Sequence, residues 1–335
     1  MISVTCITAT HGPSTPLRSM RASLTRSVQA TSAPLKVMGC VVSQPDVSGL
    51  RVPFAAVNEF ERVMVVDENL GFAGANNLAV AETSSEYLAF LNPDLELTEG
   101  WLDPLIEALN DPAVAIAAPV LLNDWGDVDE AGQAVFSDGG TLAIGGAHWP
   151  GFPDSYPSVM FDRDVDYASA ACWVMRRSTF DELGGFSSAY YPAYFEDADF
   201  GQRVQHAGYV TRLVTARPVV HHHDGASAER VAIAERSRKV FEERWAEQLA
   251  TKPDRSLLET NHVAVRDHLC ESTTIERVSP DAIDAFAATA ALDPRNRYTA
   301  LVSDISENEL HLLRRHYSSF GLEIHRGEGR NKPLV

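Results

Sequence analysis

Residues 62–94 read RVMVVDENLGFAGANNLAVAETSSEYLAFLNPD, and this stretch decides the fold. Apolar runs at 62–67 and 86–91 predict two strands, and the segment between them, about Gly74 to Thr83, predicts a helix. Strands that are apolar almost throughout are typical of sheets covered on both faces, and a helix between two such strands favours a parallel pair. The stretch therefore predicts an α/β fold with a mostly parallel sheet.

The same alternation continues on both sides of this unit. Apolar and β-branched runs predict strands at 2–10, 35–42, 114–122, 166–176 and 210–214, and apolar residues at helical spacing predict helices at 14–29, 101–109, 178–183 and 229–249. Residues 1–250 are thus predicted to form one domain with helices flanking the sheet. Residues 123–157 are rich in Gly, Asp and Pro and are predicted to be irregular, as functional or mobile loops are.

A shift in composition at 251–255 marks the start of a second, smaller unit. Within residues 251–335 the pattern predicts helices at 280–292 and 307–320 and strands at 298–303 and 322–325. We interpret this region as a small C-terminal α/β appendage. It contains no motif that points to a particular chemistry.

Composition narrows the class of protein. Of the 335 residues, 45% are hydrophobic and 22% charged, as in ordinary globular enzymes, and the formal net charge is −18. This charge opposes binding to nucleic-acid phosphates. No apolar run approaches the roughly 18 residues of a membrane span, and the N-terminus lacks the features of a signal peptide, so we expect a cytoplasmic protein. The four cysteines are scattered, which favours free thiols over disulfides or a zinc site.

Ligands of open α/β sheets bind beyond the carboxyl ends of the strands, so the residues near those ends are candidates for binding. Residues 68–80, ENLGFAGANNLAV, combine glycines that permit close backbone approach with asparagines that can bond a base or a ribose. A turn followed by a small-residue helix explains the same pattern without a ligand. The segment has neither the Gly-x-Gly-x-x-Gly fingerprint nor a phosphate loop. The candidate nucleotide contacts at this edge are Thr8, Thr10, Asn69, Gly71, Gly74, Asn76 and Asn92.

Two further segments at this edge carry metal-ligand chemistry. LNPDLEL, residues 91–97, follows a predicted strand, and strand alternation points the side chains of Asn92 and Asp94 the same way. An Asn-Pro-Asp turn without a ligand is the alternative. His221, His222 and His223 follow another strand, where one or two of them can point inward. A histidine together with Asp94 would make a mixed N/O site suited to Mn²⁺ or Mg²⁺.

The stretch YYPAYFEDADFGQRVQHAG, residues 190–208, places acids in the first turn of a predicted helix. Capping of the helix N-terminus explains one or two of the acids Glu196, Asp197 and Asp199. Capping does not explain why the residues that precede these acids, Tyr194 and Phe195, are apolar. Carboxylates beside apolar walls and other acids acquire a raised pKa and serve as general bases, so this stretch is a candidate active site.

In this order and at these separations, NLGFAGANN (69–77), LNPDLEL, the GGF turn (184–186), YFEDADFGQRVQHAGY (194–209) and VVHHHDGAS (219–227) resemble the family-2 glycosyltransferases with the GT-A, Rossmann-like fold. The rhamnosyltransferase-like branch is the most similar. The resemblance covers about residues 2–245. It implies an inverting transferase that uses a nucleotide-diphospho-sugar donor and a divalent metal, Mn²⁺ or Mg²⁺.

The resemblance also implies roles for single residues. Asp94 matches the second acid of the family's Asp-x-Asp metal motif, whose first position is Asn92 here. Asp197 matches the catalytic base, with Glu196 as a contact to substrate hydroxyls. Asp199 is the second candidate for the base. We expect it instead to support the helix start or to orient Arg203. His221 and His222 compete for the metal or diphosphate contact, and we favour His221.

Besides Asn92, two segments depart from the family pattern. Residues 41–46, VVSQPD, replace the usual Asp-Asn-x-Ser signal, so Asp46 is only a weak candidate for reading the nucleotide base. Ser187 stands where an acid usually follows the GGF turn.

The expected acceptor is a saccharide, a lipid-linked glycan or a protein. A catalytically silent nucleotide-sugar-binding or scaffold protein is one alternative, suggested by the altered loop at 41–46 and the appendage. Transfer to a modified nucleic-acid base is another, and the net charge argues against it. Peripheral membrane contact and a homodimer are left open. Trp125, Trp149, Tyr190 and Tyr191 could stack on sugars or belong to the core.

Overall fold

The computed structural model describes residues 2–11, 35–44, 62–154, 156–222, 228–303 and 305–327. The predicted helix at 14–29, Asp46 and His223 lie outside these residues. In chain order the strands and helices are β1 (Ile2–His11), β2 (Leu35–Gln44), β3 (Arg62–Val65), α1 (Gly71–Ala81), β4 (Tyr87–Leu91), β5 (Leu95–Glu96), α2 (Leu102–Ala108), β6 (Val114–Leu122), β7 (Val128–Glu130), β8 (Gln133–Val135), β9 (Thr141–Ala143), α3 (Tyr156–Val159), β10 (Arg163–Val165), β11 (Cys172–Arg176), α4 (Arg177–Glu182), α5 (Glu196–His206), β12 (Val210–His221), α6 (Ala228–Arg244), α7 (Ala246–Leu249), α8 (Leu257–Arg266), β13 (Ser272–Arg277), α9 (Ile283–Ala291), β14 (Asn296–Val302), α10 (Glu307–Tyr317) and β15 (Leu322–Arg326).

One large sheet organises the first part of the chain, in the order β10-β12-β6-β11-β4-β1-β2-β3. The strands from β4 to β3 along this order are parallel, as are β6 and β12. β11 is antiparallel to both of its neighbours, and β10 is antiparallel to β12. The predicted α/β class is confirmed, with a mixed sheet. Because β4, β6 and β12 run in the same direction, their carboxyl ends meet at one edge of the sheet.

Helices cover both faces of this sheet, as the apolar strands predicted. In β4 the side chains of Leu88 and Phe90 pack on one face, together with residues of α1, α4 and α5. Those of Ala89 and Leu91 pack on the other face, against α2. Alternation along a strand buried on both sides explains why YLAFL is apolar throughout.

Several boundaries differ from the prediction. α1 begins at Gly71 rather than near Gly74, because the Asn69 side chain accepts a hydrogen bond from the Gly71 N–H (2.7 Å) and starts the helix earlier. β12 continues to His221 across a register shift between Val214 and Val219. The strand predicted at 166–176 is shorter, since regular pairing within that range is confined to β11. The stretch 123–157 contains β7, β8 and β9.

The C-terminal part contains a second sheet of parallel strands, in the order β13-β14-β15. It has its own apolar cluster with α9 and α10, which includes Ile283, Ala300 and Leu310. Val265 in α8 instead packs into a cluster of the main domain that includes Val120. The division at residue 250 stays a prediction. Among the described helices, none combines the length and the apolar character needed to cross a membrane.

Candidate active site

Asn92, Asp94 and His221 lie together where β4 and β12 end. β5 pairs with the last residues of β12 and brings His221 opposite Leu95. The Nε2 atom of His221 is 3.3 Å from Asp94 Oδ1 and 3.5 Å from Asn92 Nδ2. The pairing of β5 with β12 thus brings together residues that are separated by more than a hundred positions in the sequence.

The pair Asp94 and His221 fits a divalent cation. Asp94 Oδ1 is buried and accepts no hydrogen bond within the described part of the chain. Two ligands of one cation, each at about 2.1 Å and at a right angle, are roughly 3 Å apart, close to the observed separation. No three His, Cys, Asp or Glu side chains of the described residues form a complete metal cluster. One or two protein ligands are the usual number in Mg²⁺ sites that also bind waters and phosphates.

His222 occupies a different environment from His221. Its Nδ1 atom pairs with Asp124, and its Nε2 atom is 3.7 Å from Glu96 Oε2. The His222 side chain is 35% exposed, compared with 6% for His221. Successive side chains of a strand point to opposite sides, and of the two histidines that the structure describes here His221 is the one that faces Asp94.

The helix α5 begins immediately after a strained turn. Tyr194 and Phe195 have φ values of 72° and 69°, in the left-handed region that non-glycine residues rarely adopt. Phe195 is the residue before the helix and provides no side-chain cap. Such strain costs about 1–3 kcal/mol per residue and is concentrated at functional sites. Here it turns the chain so that Glu196 and Asp197 open the helix side by side.

The environments of Glu196 and Asp197 separate their roles. Burial raises the pKa of Glu196 well above its ordinary value, and the nearby charge of Asp197 raises it further. Burial also raises the pKa of Asp197, but backbone N–H groups oppose this shift, including those of Ala198 (2.8 Å) and Ala170 (3.4 Å). Glu196 Oε2 is buried without a hydrogen-bond partner among the described residues. Because the rise in pKa is larger for Glu196, Asp197 is the first of the two to lose its proton as the pH rises.

Asp199 is a structural carboxylate. Its side chain is fully buried and bonds the Tyr190 hydroxyl (3.0 Å), Arg203 Nε (2.9 Å) and Trp245 Nε1 (3.0 Å). Arg244 Nη1 lies 3.2 Å from Asp199 Oδ1 and forms an ion pair with it. The expected link to Arg203 is present, and the side chain is engaged by other side chains rather than by the backbone N–H groups of the helix start.

The asparagines of residues 69–77 have distinct positions. Asn69 bonds the start of α1 and keeps a buried Nδ2 atom without a partner in the described part of the chain. Asn76 is 2% exposed and donates to the Phe72 carbonyl (2.8 Å). Asn77 bonds both the N–H (3.0 Å) and the carbonyl (2.8 Å) of Phe186. Of the three, Asn69 keeps a donor for a ligand, whereas Asn76 and Asn77 are engaged with the backbone.

Three other predicted nucleotide contacts lie in β1 and α1. Thr8 and Thr10 are in β1, paired with Val41 and Ser43 of β2. Gly74 is within the first turns of α1. All of these assignments stay predictions.

Gly71 joins the start of α1 to the loop that leads to α5. Its φ is 69°, and a Cβ atom there would lie 2.6 Å from the carbonyl oxygen of Pro192. The Phe72 N–H donates to that same oxygen (2.8 Å). The loop before Glu196 is therefore held directly against the start of α1.

This contact predicts that Gly71→Ala destabilises the fold more than an ordinary glycine replacement does. Gly184→Ala is the matched control, because Gly184 has a φ of 79° and a Cβ added there would meet no described atom within 4 Å. A left-handed residue costs on the order of 1 kcal/mol in both variants. The clash in Gly71→Ala should add about 1–3 kcal/mol, as overpacking does. Urea unfolding measures both, and equal losses would contradict the contact.

The structure adds two residues that the sequence did not single out, Asp129 and Glu130 of β7. Asp129 Oδ2 is 3.9 Å from His221 Nδ1. Glu130 is 6% exposed and lies near enough to Asp197 for the two charges to interact. The acids of 124–130 were the only signal in the sequence, and in a Gly- and Asp-rich stretch they resemble an ordinary loop.

The four aromatic candidates for sugar stacking divide into two pairs. Trp149 and Tyr190 are 2% and 1% exposed and belong to the core. Trp125 and Tyr191 are 89% and 52% exposed. Trp125 follows Asp124, the partner of His222, and so lies close to the sheet edge that carries Asp94 and His221.

Comparison with known proteins identifies the family. Residues 56–184 match the family model described as glycosyl transferase family 2. The chain carries a family-2 glycosyltransferase domain. The matched range includes α1 and Asp94 and ends at Gly184, the first residue of the GGF turn, while Asp197 and His221 follow it.

Relatives and solved structures agree with this assignment. The glycosyltransferase is 28% identical over 237 residues to N-acetylglucosaminyl-diphospho-decaprenol L-rhamnosyltransferase of Mycobacterium tuberculosis, covering 64% of this chain and 75% of that one. It is also 28% identical over 170 residues to rhamnosyltransferase WbbL of Escherichia coli, covering 47% of this chain and 63% of that one. The resemblance to the rhamnosyltransferase-like branch is confirmed.

The fold of the glycosyltransferase is similar to that of GalNAc-T7, solved with UDP, GalNAc and Mn²⁺, with a TM-score of 0.51 and 13% identity. The match covers 80% of this chain and 58% of that one. The GT-A fold is therefore confirmed.

Proposed function

We propose that this glycosyltransferase moves a sugar from a nucleotide-diphospho-sugar to an acceptor hydroxyl, with a divalent metal and with inversion at the anomeric carbon. The observation that carries the proposal is the placement of the Asp94–His221 pair at the same sheet edge as Asp197. Residues 169–171 connect them, because the Ala170 N–H approaches Asp197 and the Ala171 carbonyl accepts the Asn92 N–H (2.7 Å).

The donor side of the site is formed by Asp94 and His221. These two residues would hold Mn²⁺ or Mg²⁺ at the donor diphosphate, where the cation would stabilise the charge that develops on the leaving group. The chain's own contribution is to fix the two ligands at the ends of paired strands. Asn69, whose buried Nδ2 atom has no hydrogen-bond partner among the described residues, would donate to the nucleotide.

The acceptor side is formed by Asp197 and Glu196. An ionised Asp197 takes the proton of the attacking hydroxyl, and its raised pKa improves this proton transfer. A protonated Glu196 can donate a hydrogen bond to a substrate hydroxyl. Inversion needs one base and no covalent sugar intermediate, and the full set of donors around Asp199 leaves Asp197 as that base.

For the acceptor we propose a saccharide or lipid-linked glycan. The relative from Mycobacterium tuberculosis is named for an acceptor of this kind, a sugar linked through diphosphate to decaprenol. The net charge of −18 continues to argue against a nucleic-acid acceptor.

A panel of UDP-, dTDP- and GDP-sugars with Mn²⁺ or Mg²⁺ tests the proposal. A donor present at about 100 times its Kd should stabilise the protein by about 2.7 kcal/mol, seen as a rise in Tm. The same donor should be consumed in the presence of a saccharide or lipid-linked glycan acceptor, and EDTA should remove both effects. Tm rises without turnover would instead indicate a catalytically silent nucleotide-sugar-binding protein. The absence of any rise across the panel would contradict the donor class.

A further inference from the structure

Glu130 is a buried carboxylate that the proposed mechanism does not use. β7 pairs with β6 across a register shift, with Leu121 opposite Glu130 and Leu122 opposite Val128. Such a bulge places an extra residue on one strand and redirects its side chains. Here Glu130 points inward and is 6% exposed.

Both oxygens of Glu130 are occupied by donors from the protein. Oε1 accepts the Ser169 N–H at 2.7 Å, and Oε2 accepts Gln133 Nε2 at 2.6 Å. Burial raises the pKa of Glu130 to about 7, and the charges of Asp197 and Asp129 raise it as well. The burial of a carboxylate is costly unless its oxygens are bonded, so the two donors account for how Glu130 is tolerated. They do not account for why a carboxylate is there.

The Ser169 N–H is the first of two neighbouring backbone donors that point at acids. The next one, Ala170 N–H, lies 3.4 Å from Asp197 Oδ2 and lowers the pKa of Asp197. Consecutive amides thus connect Glu130 to the proposed base. Since one backbone segment carries both donors, fixing the first also fixes the second.

We propose that Glu130 is a positioning residue for Asp197, which it holds through the backbone of Ser169 and Ala170. This inference rests on the proposed function, because it assigns Glu130 to the base of that reaction. Glu130 does not touch the substrate. Its effect on catalysis comes from the position of the Ala170 N–H, and misplacement of a catalytic group by about 1 Å can cost on the order of 100-fold in rate.

Two variants separate positioning by hydrogen bonding from bulk packing. Glu130→Gln keeps an oxygen for the Ser169 N–H, and Gln133 can rotate its amide to meet the new NH₂ group. Glu130→Ala removes the anchor. Asp164→Ala is the matched control, because Asp164 is also a buried carboxylate on a strand, is 8% exposed and bonds Arg212 away from Asp197.

We expect Glu130→Ala to lower kcat by about 10- to 100-fold with an unchanged KM for the donor, and Glu130→Gln to retain most of the activity. Asp164→Ala should lose stability with little change in kcat per folded molecule. Hydrogen–deuterium exchange of the peptide that contains Ser169 and Ala170 should quicken in Glu130→Ala and stay near the wild-type rate in Glu130→Gln.

Equal kcat values for Glu130→Ala and the wild type would overturn the inference, as would an equal loss of kcat in Asp164→Ala. Unchanged exchange at Ser169 and Ala170 in Glu130→Ala would overturn it as well. If the wild type itself transfers no sugar from any donor, the proposed function fails, and the exchange measurement still decides whether Glu130 holds this backbone segment.

Discussion

Replacement of Asp197 by Asn should abolish sugar transfer while the donor still binds. The amide keeps the size of the side chain but cannot take the proton of the acceptor hydroxyl, and general-base catalysis is worth about 10²- to 10⁴-fold. The rate of transfer at saturating acceptor measures the loss, and calorimetry with the donor and Mn²⁺ measures binding. Asp181→Asn, an exposed acid on α4, is the control with the same chemical change. Unimpaired transfer by Asp197→Asn would remove Asp197 from the mechanism.

The pH profile gives a second readout of the same residue. Burial raises the pKa of Asp197, and the base must be ionised to act. Activity is therefore present above this raised pKa and is lost as the pH falls through it, at a higher pH than the ordinary value near 3.9 would give. A plot of log kcat against pH should show this acid limb in the wild type, and any residual activity of Asp197→Asn should lack it.

Replacement of Asp94 by Ala should remove metal-dependent nucleotide binding. Loss of a residue that only supports a metal ligand typically costs about 10- to 100-fold in affinity, so loss of the ligand itself should cost at least about 100-fold. Calorimetry of the nucleoside diphosphate with and without Mn²⁺ measures the effect, and Asp181→Ala is the control. Unchanged affinity in the presence of Mn²⁺ would exclude Asp94 as a ligand.

The two histidines extend this test. His221 faces Asp94 at 3.3 Å, whereas His222 pairs with Asp124. His221→Ala should therefore share the loss seen in Asp94→Ala, and His222→Ala should largely retain Mn²⁺-dependent binding. The opposite order would assign the site to His222.

The sequence predicted the parts of the fold that leave a periodic pattern. β4 and β6 are apolar runs because both of their faces are covered, and such a run is readable without a structure. The direction of β11 could not be predicted from the sequence, because a buried strand has the same apolar pattern whether its neighbours are parallel or antiparallel. β5 and β7 contain two and three residues, which is too short for a period to show.

The candidate site shows the same limit. Asp94, Asp197 and His221 could be proposed because each belongs to a motif of local sequence. Glu130 could not, since its burial and its link to Asp197 arise only when Ser169 and Ala170 pass between them. The periodicity of α1 also could not tell which of its asparagines would bond the backbone.

The bonds of Asp199 set a limit on how far the chain can be shortened. Arg244 and Trp245 are two of its four side-chain partners, although they lie about sixty residues beyond the end of the family match at residue 184. A fragment that ends before Trp245 would leave a fully buried carboxylate short of partners beneath the helix that starts at Glu196. Because Val265 of α8 also packs into the cluster around Val120, a shortened chain without the sheet β13-β14-β15 should keep all of α8 and end beyond Arg266.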